Sequence, residues 1–274
     1  CYANVFASEK SPEKVLICAQ NSPEWCFAFY GAMRCEAIVI PLEAQSTKKE
    51  IEYVINDCRP DIVFVSDDKK EMFSDLELQG ARLMTKEDVL LSDDDNIPAT
   101  DIPLRGKDDV MLINYTSGTT GNPKGVMLTF NNVMFNVDSV SKQVPIFQPD
   151  CNVMVLLPLL HILPLLGSLV APLYMGGTLH IAEAMNAESI IKTLNAGKVS
   201  IIIGVPRLYD MLVKGIMNKI NASFVTRLLY KITKLIGSDK VSRIVFSSVH
   251  KKFGGHLKYL VSGGAALSVE TATI

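Results

Sequence analysis

The chain lacks the spacings from which small metal and redox sites are usually built. None of its six cysteines forms a CxxC pair, and its cysteines and histidines show no zinc-ligand spacing, which argues against a structural zinc site. We therefore expect reduced thiols in a protein core, as is typical of a cytosolic protein. The amino end also lacks the basic and apolar pattern of a secretory signal peptide.

Charge is sparse and unevenly distributed. Charged residues make up 20% of the 274 residues and hydrophobic residues 48%, a composition typical of globular rather than disordered chains. Residues 1–109 carry 12 basic and 22 acidic residues, whereas residues 207–274 carry 11 basic and 3 acidic ones. We expect no nucleic-acid partner, and the basic end of the chain suits anionic substrates or an anionic surface.

The segment 151–182 contains no Asp, Glu, Lys or Arg. Its length alone would allow a membrane span, but three prolines within it argue against a single straight helix. We predict instead a strand at 153–157, a turn at Pro158, a buried helix up to about Met175 and a strand at 178–182.

Strands and helices alternate along the first third of the chain. Apolar runs at 14–19, 37–42 and 61–66 read as strands, and Ser22 and Thr47 stand where the caps of the intervening helices are needed. Continuous apolar strands in this order indicate a parallel sheet that is covered on both faces. The predicted fold class is α/β, with two predominantly parallel β-sheets and flanking helices. Residues 1–145 would form a first subdomain, and 146–274 part of a second with a helical insert at about 207–256.

The stretch 115–130 reads YTSGTTGNPKGVMLTF and combines glycines, hydroxyls and one lysine. Glycines let backbone N–H groups converge on an anion, and the hydroxyls and the lysine add donors and positive charge. It is not a Walker A loop, because Pro123 precedes the lysine and Gly125 follows it. The alternative is a hairpin without a ligand. The predicted phosphate-binding residues are Thr116, Ser117, Gly118, Thr119, Thr120, Gly121 and Lys124.

This stretch resembles the phosphate-binding signature of the adenylate-forming enzymes, (Y/F)TSGTTGxPKGV, at every position from Tyr115 to Val126. The resemblance implies the large amino-terminal domain of that fold. It also implies ATP-dependent activation of a carboxylate to an acyl-adenylate, with release of pyrophosphate. Coenzyme A would be the co-substrate, and Thr116 would be a ligand of Mg²⁺.

Three further segments resemble signatures of the same family and follow in the same order. The segment LLPLLHILPLLG resembles a turn that lines the acyl and adenylate site, which implies that His161 shapes or gates the pocket; a lone histidine there would otherwise read as a core residue. GVPRLYD implies acyl-pocket residues and SGGAAL implies adenine- or acyl-binding residues. The implied residues are Gly204, Val205 and Pro206 in GVPRLYD, and Gly263, Gly264, Ala265 and Ala266 in SGGAAL.

The stretch 223–236 is predicted to be a basic amphipathic helix. Its apolar residues fall on one helical face, and Arg227, Lys231 and Lys234 lie off that face. Two interpretations remain open: a core helix with a solvated basic face, or a helix that makes a peripheral contact with an anionic membrane. A long helical insert at this place resembles the long-chain fatty acyl-CoA synthetases.

These observations predict the amino-terminal part of an ATP-dependent fatty-acid–CoA ligase. The alternatives are a non-catalytic nucleotide- or acyl-binding module and an aryl- or amino-acid-adenylating enzyme, which shares the phosphate-binding, LLPLLHILPLLG and SGGAAL signatures. The sequence stops just past SGGAAL, before the family's YGxTE segment and its mobile carboxyl-terminal domain. We therefore expect the 274 residues alone not to catalyse adenylation.

Overall fold

Each of two units in the chain contains a β-sheet. The computed structural model describes residues 2–8, 11–90, 105–116, 123–238, 241 and 244–273. The first unit comprises residues 1–140 together with 158–162, and the second comprises 141–157 and 163–274. The chain returns briefly to the first unit at 158–162. The predicted site residue His161 therefore belongs to that unit.

The first unit alternates strands and helices, as the sequence predicts. Its elements are α1 (Tyr2–Ala7), β1 (Lys14–Cys18), α2 (Pro23–Arg34), β2 (Ile38–Leu42), α3 (Lys48–Cys58), β3 (Ile62–Val65), a 3₁₀ turn (Asp67–Lys69), α4 (Lys70–Ser74), β4 (Arg82–Met84), α5 (Lys86–Leu90), β5 (Val110–Thr116), β6 (Lys124–Thr129) and α6 (Phe130–Gln143).

The first sheet has six strands in the order β4-β3-β1-β2-β5-β6. The first five strands in this order are parallel to their neighbours, and β6 joins the edge antiparallel to β5. Residues 62–65 of β3 are all buried, as expected for a parallel strand that is covered on both faces. The α/β prediction is confirmed, with the refinement that this sheet is mixed.

Helix starts in this unit follow the predicted capping chemistry. Ser22 Oγ accepts a hydrogen bond from the Trp25 amide at 3.1 Å, and Pro23 occupies the first position of α2. Thr47, the predicted cap of α3, forms a capping box with Glu50, because each side chain accepts from the other's backbone amide. Thr129 Oγ1 accepts from the Asn132 amide and so caps α6.

The second unit holds a parallel four-stranded sheet in the order β10-β9-β7-β8. Its elements are β7 (Asn152–Val155), α7 (Ile162–Pro164, which begins one residue before the unit), a π-helix (Leu165–Val170), α8 (Ala171–Tyr174), β8 (Thr178–Ile181), α9 (Ala187–Ala196), β9 (Ile201–Gly204), α10 (Pro206–Asn221), α11 (Phe224–Ile236), α12 (Ser247–Lys252), β10 (Tyr259–Ser262) and α13 (Val269–Ala272).

The charge-free segment folds as a strand, a turn, a helical stretch and a second strand. Its helical stretch is irregular, with π-helical geometry over Leu165–Val170. Pro172 has no N–H to donate to the carbonyl four residues earlier, which disfavours a regular α-helix at this point. Within the part of the chain that the structure describes, no helix is long and apolar enough to cross a membrane.

Helix α11 is oriented differently from a core helix. Its apolar residues face solvent, with 76% of Phe224 and 87% of Leu235 exposed, whereas Thr233 on the opposite side is only 6% exposed. The interpretation of α11 as a core helix with a solvated basic face is therefore wrong. The apolar residues do share one face, but that face is not packed against the unit.

Candidate functional site

The β5–β6 hairpin brings two of the predicted phosphate-binding residues together. Thr116 ends β5 and Lys124 begins β6, and the two are cross-strand partners at the loop end of the hairpin. Both are exposed. Five other predicted residues lie in the connection between the strands, outside the described residues; they are Ser117, Gly118, Thr119, Thr120 and Gly121.

Lys124 supplies a positive charge to this end of the hairpin. Among the described residues no carboxylate forms an ion pair with its ammonium group, so that charge is not neutralised within the described structure. Thr116 supplies a hydroxyl oxygen, which is the hard type of ligand that Mg²⁺ prefers. Since Mg²⁺ is usually held by one or two carboxylates together with substrate phosphates and water, the exposed Thr116 hydroxyl would supply one of its oxygen ligands.

Tyr115, one residue before Thr116, attaches the hairpin to α3. Its hydroxyl donates a hydrogen bond to Asp57 Oδ2 at 2.6 Å. Burial, and then the contact with Asp57, raise the pKa of Tyr115 well above its ordinary value, so the hydroxyl remains a donor. Across the hairpin stands Gly125, where a Cβ atom would lie 2.8 Å from Ile113 Cγ2 and 3.2 Å from the Tyr115 ring. The close approach of the two strands therefore requires glycine at this position.

Two asparagines hold the turn that carries His161. The amide of Asn114, in β5, donates to the Leu160 carbonyl at 2.9 Å. Asn21, just after β1, accepts from the Leu159 amide at 3.0 Å. His161 itself is exposed, and its amide donates to the Pro158 carbonyl to close the turn. An exposed histidine next to the strand that delivers Thr116 contradicts the alternative of a buried core histidine.

Sequence reasoning did not identify Asn21, Asp57 or Asn114. Asn114 did leave a signal, because it is the only polar residue within the apolar run VMLINY apart from the tyrosine. A buried amide must find hydrogen-bond partners, so its position in a core strand implied a contact. The partner itself, 46 residues further along the chain, could not be inferred from the sequence.

In the second unit, two other sets of predicted binding residues lie at the carboxyl-terminal ends of neighbouring strands. Strands β9 and β10 are parallel neighbours, with Gly204 paired to Ser262, and the Gly263 amide donates to the Gly204 carbonyl at 3.1 Å. The described structure thus places the predicted acyl-pocket residues beside the predicted adenine- or acyl-binding turn. Those residues are Gly204, Val205 and Pro206 on one side, and Gly263, Gly264, Ala265 and Ala266 on the other.

Tight packing surrounds the two glycines that begin these groups. A Cβ on Gly204 would lie 2.7 Å from Leu208 Cδ2, and one on Gly263 would lie 2.9 Å from Leu163 Cδ2. Gly264 adopts a φ of +79°, a conformation that side-chain-bearing residues rarely take. Glycine is therefore required at Gly204 and Gly263 by packing against Leu208 and Leu163, and at Gly264 by the positive φ.

Tyr209 links the two strands that carry these residues. Its hydroxyl lies 2.7 Å from the Val261 carbonyl and 3.1 Å from the Ile202 carbonyl, and so contacts both β10 and β9. Burial raises the pKa of Tyr209 above its ordinary value. Its side chain therefore has a structural role, whereas the sequence assigned its segment, GVPRLYD, to the acyl pocket as a whole.

A family model and several individual proteins match the chain. The model described as AMP-binding enzyme matches residues 2–273. The long-chain-fatty-acid–CoA ligase 1 of Schizosaccharomyces pombe is 33% identical over 181 residues, which cover 60% of this chain and 27% of that protein. The corresponding ligase 1 of Saccharomyces cerevisiae is 32% identical over 199 residues, covering 66% of this chain and 28% of the yeast protein.

Solved structures agree with this fold. The ATP-bound crystal structure of MatB from Rhodopseudomonas palustris superposes with a TM-score of 0.73 at 25% identity, covering 98% of this chain and 48% of MatB. The aligned residues therefore span about a quarter of the length of the two fungal ligases and about half of MatB. The similarity over almost the whole chain supports the predicted amino-terminal domain of the adenylate-forming fold.

Proposed function

The chain belongs to the AMP-binding enzyme family, and on that premise we propose that it forms part of an ATP-dependent fatty-acid–CoA ligase. The observation that carries the proposal is the pairing of Thr116 with Lys124 at the loop end of the β5–β6 hairpin. This pairing puts a hydroxyl and an ammonium group at the two ends of the hydroxyl- and glycine-rich loop. The two fungal relatives, which are named as fatty-acid–CoA ligases, favour a fatty acid as the carboxylate.

In this proposal the loop 116–124 binds the phosphates of ATP. The Lys124 ammonium neutralises phosphate charge. The Thr116 hydroxyl would hold Mg²⁺, which would supply further positive charge at the phosphates when bound. A carboxylate oxygen of the fatty acid attacks the α-phosphorus and pyrophosphate leaves. The sulfur of coenzyme A, after loss of its proton, then attacks the acyl carbon and displaces AMP. Positioning and charge neutralisation are most of what such a step asks of a protein.

The remaining predicted residues take supporting roles. We assign His161 to shaping the pocket near the acyl carbonyl. The backbone of Gly204, Val205 and Pro206 would line the acyl pocket. Gly263, Gly264, Ala265 and Ala266 would let adenine or the acyl group approach the backbone. Asn114 and Asn21 would act as positioning residues, because they hold the turn that carries His161.

ATP binding by the 274-residue chain tests the phosphate site directly. We expect Lys124→Ala to weaken binding of ATP with Mg²⁺ by roughly tenfold or more, since a hydrogen bond to a charged group contributes about 1.5–3 kcal/mol. Lys107→Ala is the matched control, because Lys107 is an exposed lysine of the same unit outside the hairpin. Isothermal titration calorimetry would measure both affinities. Equal affinities for the two variants would contradict the proposed site.

Exchange of labelled pyrophosphate into ATP separates the candidate functions. It would be measured with fatty, aryl and amino acids, both on this chain and on the longest protein that the reading frame encodes. Exchange that depends on a fatty acid supports the ligase. Exchange with only aryl or amino acids would support another adenylating enzyme. ATP binding without any exchange by the longest protein that the reading frame encodes would support a non-catalytic binding module. Turnover by the 274 residues alone would contradict the expectation that they are inactive.

A further inference from the structure

Helix α11 presents an apolar stripe to solvent. The stripe is formed by residues that are each between 38% and 87% exposed, and at 100° per residue they cover one continuous side of the helix. A row of large apolar side chains left in water is costly, and such patches usually mark an interaction surface. The stripe comprises Phe224, Val225, Leu228, Leu229, Ile232, Leu235 and Ile236.

The outward orientation of the stripe is fixed by contacts on the other side of the helix. Thr226 Oγ1 donates to the Ile220 carbonyl at the end of α10. The Tyr230 ring packs edge-on against Phe246, with 6.3 Å between the ring centroids. These contacts lie away from the stripe and attach α11 to its own unit, so the stripe cannot turn inward without breaking them.

The charges beside the stripe are all of one sign. Arg227, Lys231 and Lys234 border it along one side and are exposed. The sequence contains no Asp or Glu from residue 211 to residue 238. Lys231 and Lys234 also line a shallow cleft together with Tyr230 and Leu235. Apolar groups and cations thus meet at one edge, where an anionic head group and its hydrocarbon chain would each find a suitable contact.

We propose that the stripe and its basic border form a docking surface for an anionic lipid bilayer. A helix with an apolar face and a Lys/Arg-rich flank lies in the membrane interface with its apolar side chains among the acyl chains. The cations are attracted by the surface potential of anionic lipids. A second copy of the chain would cover the apolar side chains but would bring its own three cations close to these three. This surface does not involve the phosphate hairpin and does not depend on the proposed enzyme activity.

Co-sedimentation with vesicles tests the surface. The 274-residue chain would be mixed with vesicles of phosphatidylcholine alone, or with phosphatidylglycerol added, at low and high salt. We expect binding to the anionic vesicles that weakens at high salt, because screening shortens the range of the attraction. Replacing Arg227, Lys231 and Lys234 together by Gln should weaken binding roughly 100-fold, at about fivefold for each cation. The charge-matched control replaces Lys48, Lys49 and Lys107, which are exposed elsewhere.

A second variant tests the apolar contribution without disturbing the fold. Phe224→Ser, Leu228→Ser and Leu235→Ser, combined, remove side chains that are already exposed, and should abolish vesicle binding even at low salt. The control combines Leu90→Ser, Phe135→Ser and Val269→Ser, whose side chains are similarly exposed in other elements. Far-ultraviolet circular dichroism and thermal unfolding would verify that each variant folds.

Several outcomes would overturn the proposal. One is equal binding of wild-type chain and both α11 variants, and another is equal binding to neutral and anionic vesicles. Concentration-dependent dimerisation that the serine variant abolishes, with no vesicle binding, would assign the stripe to a second copy. Binding to polyglutamate but not to vesicles would assign it to an acidic protein. Binding by this chain but not by a longer product of the same reading frame, if one is encoded, would show that additional residues cover the stripe.

Discussion

Three consecutive residues of β5 make contacts with three different parts of the first unit. Asn114 binds the Leu160 carbonyl, Tyr115 binds Asp57 and Thr116 pairs with Lys124. Because alternate residues of a strand point to opposite faces, Asn114 and Thr116 share a face and Tyr115 lies on the other. The turn that carries His161 is therefore attached to the same face of β5 that presents the Thr116 hydroxyl.

A pH dependence is expected from His180 in β8. Its Nε2 lies 2.9 Å from Asn152 Oδ1, and burial lowers its pKa below the ordinary 6.5. At a pH between the lowered pKa of the folded state and 6.5, the unfolded chain binds more protons than the folded one. The free energy of unfolding should therefore fall as the pH drops below 6.5. This contribution is complete above 6.5 and is lost toward the folded-state pKa.

Urea denaturation at pH 7.5, 6.5 and 5.5 would measure this effect. His180→Gln should show a smaller loss of stability on acidification than the wild-type chain, since glutamine does not titrate. His256→Gln, in which the replaced histidine is exposed, serves as the control and should follow the wild type. If His180→Gln lost as much stability as the wild type between pH 7.5 and 5.5, burial of His180 would not be the cause.

At the scale of elements, the β5–β6 hairpin depends on the absence of a side chain at Gly125. An added Cβ would lie 2.8 Å from Ile113 Cγ2, and a β-branched side chain has little freedom to move away. We expect Gly125→Ala to lower the free energy of unfolding by about 1–3 kcal/mol through overpacking. Chemical denaturation would measure the change.

Gly215→Ala provides the matched control for that substitution. Gly215 lies in α10, and a Cβ there would have nothing within 4 Å. Alanine should therefore raise the free energy of unfolding by about 0.5–1 kcal/mol, since it is a better helix former than glycine. A loss of stability similar to that of Gly125→Ala would show that the hairpin effect is not specific.

The elements that the sequence predicted are those set by local chemistry. Ser22, Thr47 and Glu50 cap their helices through contacts only three residues away, and the apolar runs of the first three strands are buried because a parallel sheet covers both faces.

What the sequence could not provide were orientations and distant partners. Periodicity identified the residues that share a face of α11, but not whether that face points to solvent or to the core. Contacts such as that between Tyr230 and Phe246 determine its direction. The attachment of the 158–162 turn depends on Asn21, which is 138 residues from its partner Leu159. A local pattern carries no information about a contact of that separation.

At the scale of the whole molecule, the reactivity of the cysteine thiols depends on their burial in the core. The five described cysteines are not in disulfides, and four of them are buried while Cys35 is half-buried. Burial raises the pKa of Cys18 to about 12 and that of Cys26, Cys35 and Cys58 to about 11. Since the thiolate is the reactive form, the native chain should react slowly with iodoacetamide at pH 8.

Mass spectrometry of labelled peptides would follow each thiol separately. In guanidinium chloride all five thiols should react quickly, because unfolding removes the burial that raises their pKa values. In the native protein, Cys18 should be among the slowest. Labelling of Cys18 within the time that denatured protein requires would contradict the buried position of β1.

The route of the chain between its two units has a consequence for biosynthesis. Residues 158–162 complete the first unit, yet the ribosome makes them only after 141–157, which belong to the second. Until they emerge from the exit tunnel, Asn114 and Asn21 lack the Leu160 carbonyl and the Leu159 amide that they bind in the finished fold. During translation the first unit should therefore reach its native arrangement late, once the first strand of the second unit has also been synthesised.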